Sequence, residues 1–161
     1  MINYDYLETS IGLMEIVCED DFLIGLKMVL EKNHIVNENK ISKNKISKKV
    51  KSQILEYLNG SRKIFTIPIK LNGTDFQKKV YEETLKIPYG STKTYGEIAN
   101  SIGNPKSMRA VGMALGKNPI WIIMPCHRVI GKNNKLTGYA GGIDKKLSLL
   151  KLENPKIEIK E

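Results

Sequence analysis

The stretch "TYGEIANSIGNPKSMRAVGMALGKNPIWIIMPCHRV", residues 94–129, decides how this chain folds. Thr94-Tyr95-Gly96-Glu97 has the form of a capping box. In that motif the threonine hydroxyl accepts from a backbone N–H three residues on, and the glutamate reaches back to the threonine's own N–H. A short helix is therefore predicted from Thr94, ending near Gly103. Asn104 and Pro105 read as the N-cap and first-turn proline of a second helix that runs to Gly116. Two short helices joined by a tight glycine turn make a helix-turn-helix pattern. On the second helix, Met108, Val111 and Leu115 form the stripe expected to face the core. At about 100° per residue, Arg109 then points away from that stripe, toward solvent or a ligand. Ala110, Gly112 and Ala114 beside it are small enough for another backbone to approach closely. After Asn118-Pro119, "IWIIM" (residues 120–124) reads as a short apolar strand that delivers Cys126 to its C-terminal end.

Outward from this stretch, Thr74-Asp75-Phe76-Gln77 is another capping box, with Phe76, Val80 and Ile87 following on one face. "IPYGST" breaks that helix. Beyond Cys126 come a turn, a glycine-rich "YAGG" and a last helix with Ile143, Leu147 and Leu150 expected to face inward. Glu153 sits at its end, and the tail "NPKIEIKE" is expected to fray. In the first half, "IGLMEIVCE" and "FLIGLKMV" read as paired strands turning at Asp20 and Asp21. Residues 31–45 read as a polar loop. Ile46, Val50, Ile54 and Tyr57 then recur at helical spacing, with Asn59-Gly60 as the stop. "KIFTIPIKL" is extended, and its proline marks it as an edge strand or linker. The expected division is an N-terminal domain over 1–70 and a C-terminal domain over 71–161.

The formal charge of +9 is spread unevenly. Residues 1–70 hold 11 Lys/Arg and 9 Asp/Glu, whereas residues 71–161 hold 15 and 8. An anionic partner is therefore expected to meet the second half, and nucleic-acid contact through Arg109 fits. No apolar run approaches the roughly 18 residues or more that a membrane-spanning helix needs, and no secretory signal is legible, so no membrane association is expected. The two cysteines do not look like a disulfide framework, which makes a reducing cytoplasm the expected compartment. Cys18, His34, Cys126 and His127 lack zinc-site spacing, so no metal and no cofactor are expected. Cys18 and His34 read as a strand cysteine and a loop histidine.

Cys126 could simply be a buried, inert core residue. A nucleophilic thiol would need a base within hydrogen-bond reach and an orienter for that base. His127 is a candidate base and Glu153 a candidate orienter. A cysteine hydrolase or another acyl transferase would use similar groups, so spacing alone leaves the chemistry open.

The run from Gly73 to Gly131, with "PCHRV" flanked by "RAVG", "NP" and "GYAGG", resembles the O6-alkylguanine-DNA alkyltransferases, the methylated-DNA–protein-cysteine methyltransferases. The resemblance is close over residues 71–153 and looser before, through "SIGLMEIVCEDDFLIGL" and "YLNGSRKIFTIPI". It implies an α/β fold class, with a small RNase H-like N-terminal domain and a helical, winged helix-like C-terminal domain carrying the helix-turn-helix. It implies that Cys126 accepts the alkyl group, that His127 acts through a bound water as its base, and that Glu153 orients His127. By the same resemblance Asn118 props the active-site turn, and Tyr95 donates a hydrogen bond to the departing guanine. Backbone groups of Cys126, Val129 and Ala140 would read the guanine edge, with Tyr139, Lys146 and Trp121 at the pocket. Arg109 would enter the base stack, and Thr94, Ala110 and Gly112 would belong to the surface that meets DNA. The implied partner is duplex DNA carrying O6-alkylguanine (or O4-alkylthymine), bound from the minor groove by a monomer in a single-turnover reaction.

Two departures carry expectations. Trp121 stands where a smaller residue or proline is usual, which implies a narrower cleft favouring methyl over benzyl adducts, unless it is simply packed. Tyr81 replaces a tryptophan and reads as a core substitution. The alternative function is a module that binds alkylated DNA without transfer; such proteins replace the acceptor cysteine, which is present here.

Overall fold

The computed structural model describes residues 1–29 and 44–160, which form two compact units, Met1–Leu71 and Asn72–Glu161. The loop expected over 31–45 lies outside the described residues up to position 43, as does His34.

In the first unit, strands β1 (Ile2–Thr9), β2 (Gly12–Glu19) and β3 (Phe22–Met28) form an antiparallel meander. The pair and its turn at Asp20 are as the sequence predicts, and Asp20 takes a left-handed φ of 53° there. Strand β1 was not anticipated: "INYDYLET" alternates polar with aromatic residues and buries an aspartate, so it lacks a plain apolar face. A bulge changes the register between Val17 and Cys18. It lets Leu23 and Leu26, an odd number of residues apart, both point into the core with Met14, Ile16 and Cys18. Helix α1 (Lys45–Leu58) lies against all three strands and buries Val50, Ile54 and Tyr57. It is pinned to β1 through Asp5, whose carboxylate accepts from Ser47 Oγ at 3.0 Å and pairs with Lys51 at 2.8 Å. "KIFTIPIKL" makes one parallel bridge to β3, Ile69 to Leu23, as an edge segment with a proline should.

The second unit is helical. Helix α2 (Asp75–Leu85) and helix α3 (Tyr95–Ser101) start at Thr74 and Thr94 with both capping boxes formed. A two-residue strand β4 (Lys93–Thr94) precedes α3 and pairs in parallel with β5 (Val129–Ile130). Helix α4 (Met108–Gly116) and helix α5 (Ile143–Glu153) complete it. Tyr81 is buried in α2 and donates to the Ala114 carbonyl at 3.0 Å, locking α2 to α4.

Five expectations need correction. Helix α4 starts after Ser107, not at Asn104-Pro105, because residues 104–107 close a turn in which Ser107 N and Oγ both donate to Asn104 O. Its buried stripe is Val111, Ala114 and Leu115, and Met108 is instead exposed. A Cβ on Gly96 would sit 3.3 Å from Met108 Sδ, so that glycine makes room for α4 to cross α3. "IWIIM" is not a strand: it is a buried turn with Ile122 at φ 71°, costly for a β-branched residue. In α5 the inward stripe is Lys146, Leu149, Leu150 and Glu153, while Ile143 is exposed, because two polar residues occupy core-facing positions. Lastly, the tail does not fray. Lys160 N donates to Asn134 O at 2.9 Å, Leu136 N donates to Lys160 O at 2.7 Å, and Ile157 and Ile159 pack with Leu147 on Ile130, Leu136 and Leu150.

Candidate active site

Asn118 organises the turn that carries Cys126. Its amide Nδ2 donates to Met124 O at 2.9 Å and to Cys126 Sγ at 3.1 Å, and its Oδ1 accepts from Ile120 N at 2.8 Å. The side chain thus supplies partners that a strand ladder would otherwise provide, and it holds Ile122 in its strained conformation. Trp121 Nε1 closes the turn by donating to Asn118 O at 3.1 Å.

Cys126, His127 and Arg128 then form one tight 3-10 turn, all three buried. His127 is fully enclosed, with Nε2 2.7 Å from Glu153 Oε2. Arg128 grips the same carboxylate from two sides, Nε to Oε1 at 2.8 Å and Nη2 to Oε2 at 3.0 Å, and donates Nη1 to Ile87 O at 2.8 Å. Gly90 N adds a fourth bond to Oε1 at 3.1 Å. Any Cβ at Gly90 would meet the Glu153 carbonyl at 3.3 Å, and its φ of 81° also favours glycine. With its carboxylate held ionised by Arg128, Glu153 can only accept, so His127 Nε2 carries the proton. Nδ1 is then the basic nitrogen. It is buried without a hydrogen-bond partner among the described residues.

Burial dominates the electrostatics. It pushes the Cys126 thiol up to about 11, against the opposing hydrogen bond from Asn118, the charge of Lys146 and nearby backbone N–H groups. Burial also lowers His127, against the pull of Glu153. The resting pair is therefore a neutral thiol beside a neutral imidazole, not a thiolate–imidazolium pair.

A cavity of about 310 Å³ opens beside Cys126, near the lower end of sizes that take small-molecule ligands. Its walls are Tyr95 from α3, Gly112, Leu115 and Gly116 from α4, and Gly138, Tyr139 and Ala140 from the loop before α5. Of the pocket residues expected from sequence, Tyr139 and Ala140 line it. Trp121 stands behind Tyr139, ring centroids 5.7 Å apart, which fits the packing reading. Val129 is buried and pairs with Lys93, and Lys146 is buried one layer out from the wall. Arg109 and Ala110 are exposed on α4, Gly112 is half-buried, and Thr94 caps α3. Sequence reasoning missed Arg128, Gly90 and Thr137. For Arg128 a signal existed: it is one of three arginines in a lysine-rich chain and directly follows His127. Among the described residues no group of His, Cys, Asp and Glu is arranged to hold a metal, and no helix is long and apolar enough to cross a membrane.

A thiol at the edge of a cavity in a helix-turn-helix domain defines the class: a DNA-binding protein with a buried cysteine beside its cavity. The comparisons make it specific. Residues 75–155 match the DNA-binding domain of 6-O-methylguanine DNA methyltransferase, and residues 2–71 match its ribonuclease-like domain. A methylated-DNA–protein-cysteine methyltransferase of Methanosarcina acetivorans is 44% identical over 151 residues, covering 93% of this chain and 97% of that protein. The structure of Mycobacterium tuberculosis O6-methylguanine methyltransferase superposes with a TM-score of 0.86 at 40% identity, covering 99% of this chain and 97% of that one. A Mycobacterium tuberculosis OGT in complex with DNA gives 0.86 at 42% identity over 95% of this chain and 93% of that one. The chain belongs to the 6-O-methylguanine DNA methyltransferase family.

Proposed function

We propose that this protein reverses DNA alkylation directly, moving the methyl or larger alkyl group from O6 of guanine, or O4 of thymine, onto Cys126 Sγ once per molecule. The observation that carries this reading is the thiol beside the cavity, next to a buried base whose orienting carboxylate is fully engaged. Family membership, and a relative solved with DNA, support duplex DNA as the partner.

The chemistry follows from the parts. The target carbon is buried in a duplex, so the nucleotide must leave the stack, at roughly a few kcal/mol. Arg109, exposed on α4 among small residues, fills the gap from the minor groove, and Thr94, Ala110 and Gly112 also meet the DNA. His127 takes the thiol proton through water at Nδ1, and Glu153 holds the ring. Asn118 keeps sulfur in line and Tyr95 hydrogen-bonds the departing base. Backbone groups of Cys126, Val129 and Ala140 read the guanine edge, with Tyr139 and Lys146 shaping the pocket and Trp121 packed behind it. Residues 71–161 carry this work, and residues 1–70 form the supporting domain. The product thioether has no displacing group nearby, so the molecule is spent. The protein works as a monomer in the cytoplasm without a cofactor.

The test uses a duplex with radiolabelled O6-methylguanine. Wild-type protein should acquire the label, and Cys126→Ala should bind the duplex with similar affinity and acquire none. Label on the Cys126→Ala variant would overturn the assignment.

A further inference from the structure

Three polar side chains form a line leading away from the cavity. Tyr95 Oη lies 2.7 Å from Thr137 Oγ1, and Lys146 Nζ lies 3.2 Å from the same oxygen and 3.4 Å from Gly138 O. Lys146 is 1% exposed, and its Nζ sits 5.9 Å from the centre of the Tyr95 ring. Donor counting fixes the Lys146 end of the chain, while either oxygen can donate in the Tyr95–Thr137 bond. An ammonium only donates, so Thr137 Oγ1 accepts from Lys146. The single proton on Thr137 is then free to go to Tyr95 Oη. When Thr137 donates, Tyr95 keeps its own O–H for the cavity that its side chain lines.

We propose that Thr137 is a proton-relay residue that couples the Lys146 ammonium to Tyr95 and so lets Tyr95 deliver a full proton to the departing base. The inference rests on the alkyl-transfer reading and deepens it. Sulfur forms its bond to the alkyl carbon as the carbon–O6 bond breaks, and that electron pair stays on the purine. A ring nitrogen of the purine takes the Tyr95 hydroxyl proton, and the phenolate takes the Thr137 proton. Thr137 takes one from Lys146, which is left as a neutral amine and regains a proton from solvent. The thiol's original proton leaves through His127.

The electrostatics favour this flow at Lys146 and at the Thr137–Tyr95 bond. Burial brings Lys146 down to about 8, so it gives up a proton more readily than a lysine in water. Burial raises Tyr95, and the Thr137 hydrogen bond works against that rise, as a donor to the phenolate must. The relay therefore acts on the leaving group, at the opposite end of the reaction from the Cys126–His127 pair.

The experiment separates the two halves of the Thr137 side chain. Thr137→Val keeps the methyl shape that packs near Gly131 and loses the hydroxyl; Thr137→Ser does the reverse. Single-turnover transfer is measured with saturating O6-methylguanine duplex, alongside duplex affinity and methylation of Cys126 by iodomethane, whose leaving group needs no proton. Expected is a slowing of about tenfold or more in Thr137→Val, up to the roughly hundredfold or greater contribution of general acid catalysis. Affinity and iodomethane reactivity should be unchanged, and most of the rate should return in Thr137→Ser. A Thr137→Val rate equal to wild type, a serine variant slower than the valine one, or an equal loss toward iodomethane would overturn the relay. No transfer by the wild type would instead overturn the underlying reading, and this one with it.

Discussion

Glu153 accepts four hydrogen bonds while 8% exposed, three from side chains of the Cys126–Arg128 turn and one from a backbone N–H. Removing one partner of a buried ion pair of this kind costs about 3–5 kcal/mol, because a charge is left uncompensated. The pair is thus a poor place for evolution to economise, and its value here is positional: it fixes which nitrogen of His127 is basic. The titration of His127 gives a prediction. A base must be neutral to act, and burial lowers the pKa of His127 below its ordinary 6.5. The transfer rate should stay level as pH falls from 7.5 toward the ordinary histidine range of about 6.5, and drop only below it. A single-turnover pH profile with its acid limb centred above that range would contradict the assignment. Their types and order marked Cys126, His127 and Glu153 in sequence as candidates, while spacing alone left their chemistry open. Arg128 stood out only as one of three arginines and Thr137 not at all, since an arginine or threonine gains a role here only from what folds against it.

At the scale of elements, capping chemistry was readable and the ends of things were not. Both Thr-x-x-Gln/Glu boxes formed, because their hydrogen bonds are local to four residues. The α4 start was missed because Asn104-Pro105 suits a turn as well as a cap, and the choice depends on where α3 lets α4 cross. "IWIIM" was misread because an apolar run says only that a segment is buried. Its turn is set by Asn118, whose bonds no periodicity reports. The tail was expected to fray on composition alone, yet it pairs with residues 134–136 and covers a small apolar cluster. Deleting residues after Asn154 should expose the side of Ile130, Leu136 and Leu150 now covered by Ile157 and Ile159. The partial burial of Ile157 and Ile159 is worth about 1 kcal/mol each, so urea unfolding should show a loss of about 2 kcal/mol. An unchanged midpoint would show that the tail contributes nothing.

Over the whole molecule, the charge division seen in sequence follows the division of the fold. The second unit carries the excess of positive charge, the helix-turn-helix and the thiol. The first unit has an ordinary core of sheet and helix, where Cys18 is wholly buried and its thiol is likewise pushed up to about 11. That makes an internal control, since the chain holds one cysteine inside a core and one beside a cavity. The most direct measurement is peptide mass spectrometry after incubation with excess O6-methylguanine duplex, together with a count of lesions removed. One methyl is expected on the peptide holding Cys126, none on the peptide holding Cys18, and one lesion lost per chain. Lesions removed in excess of chains, or removed while the Cys126 peptide keeps its original mass, would contradict it.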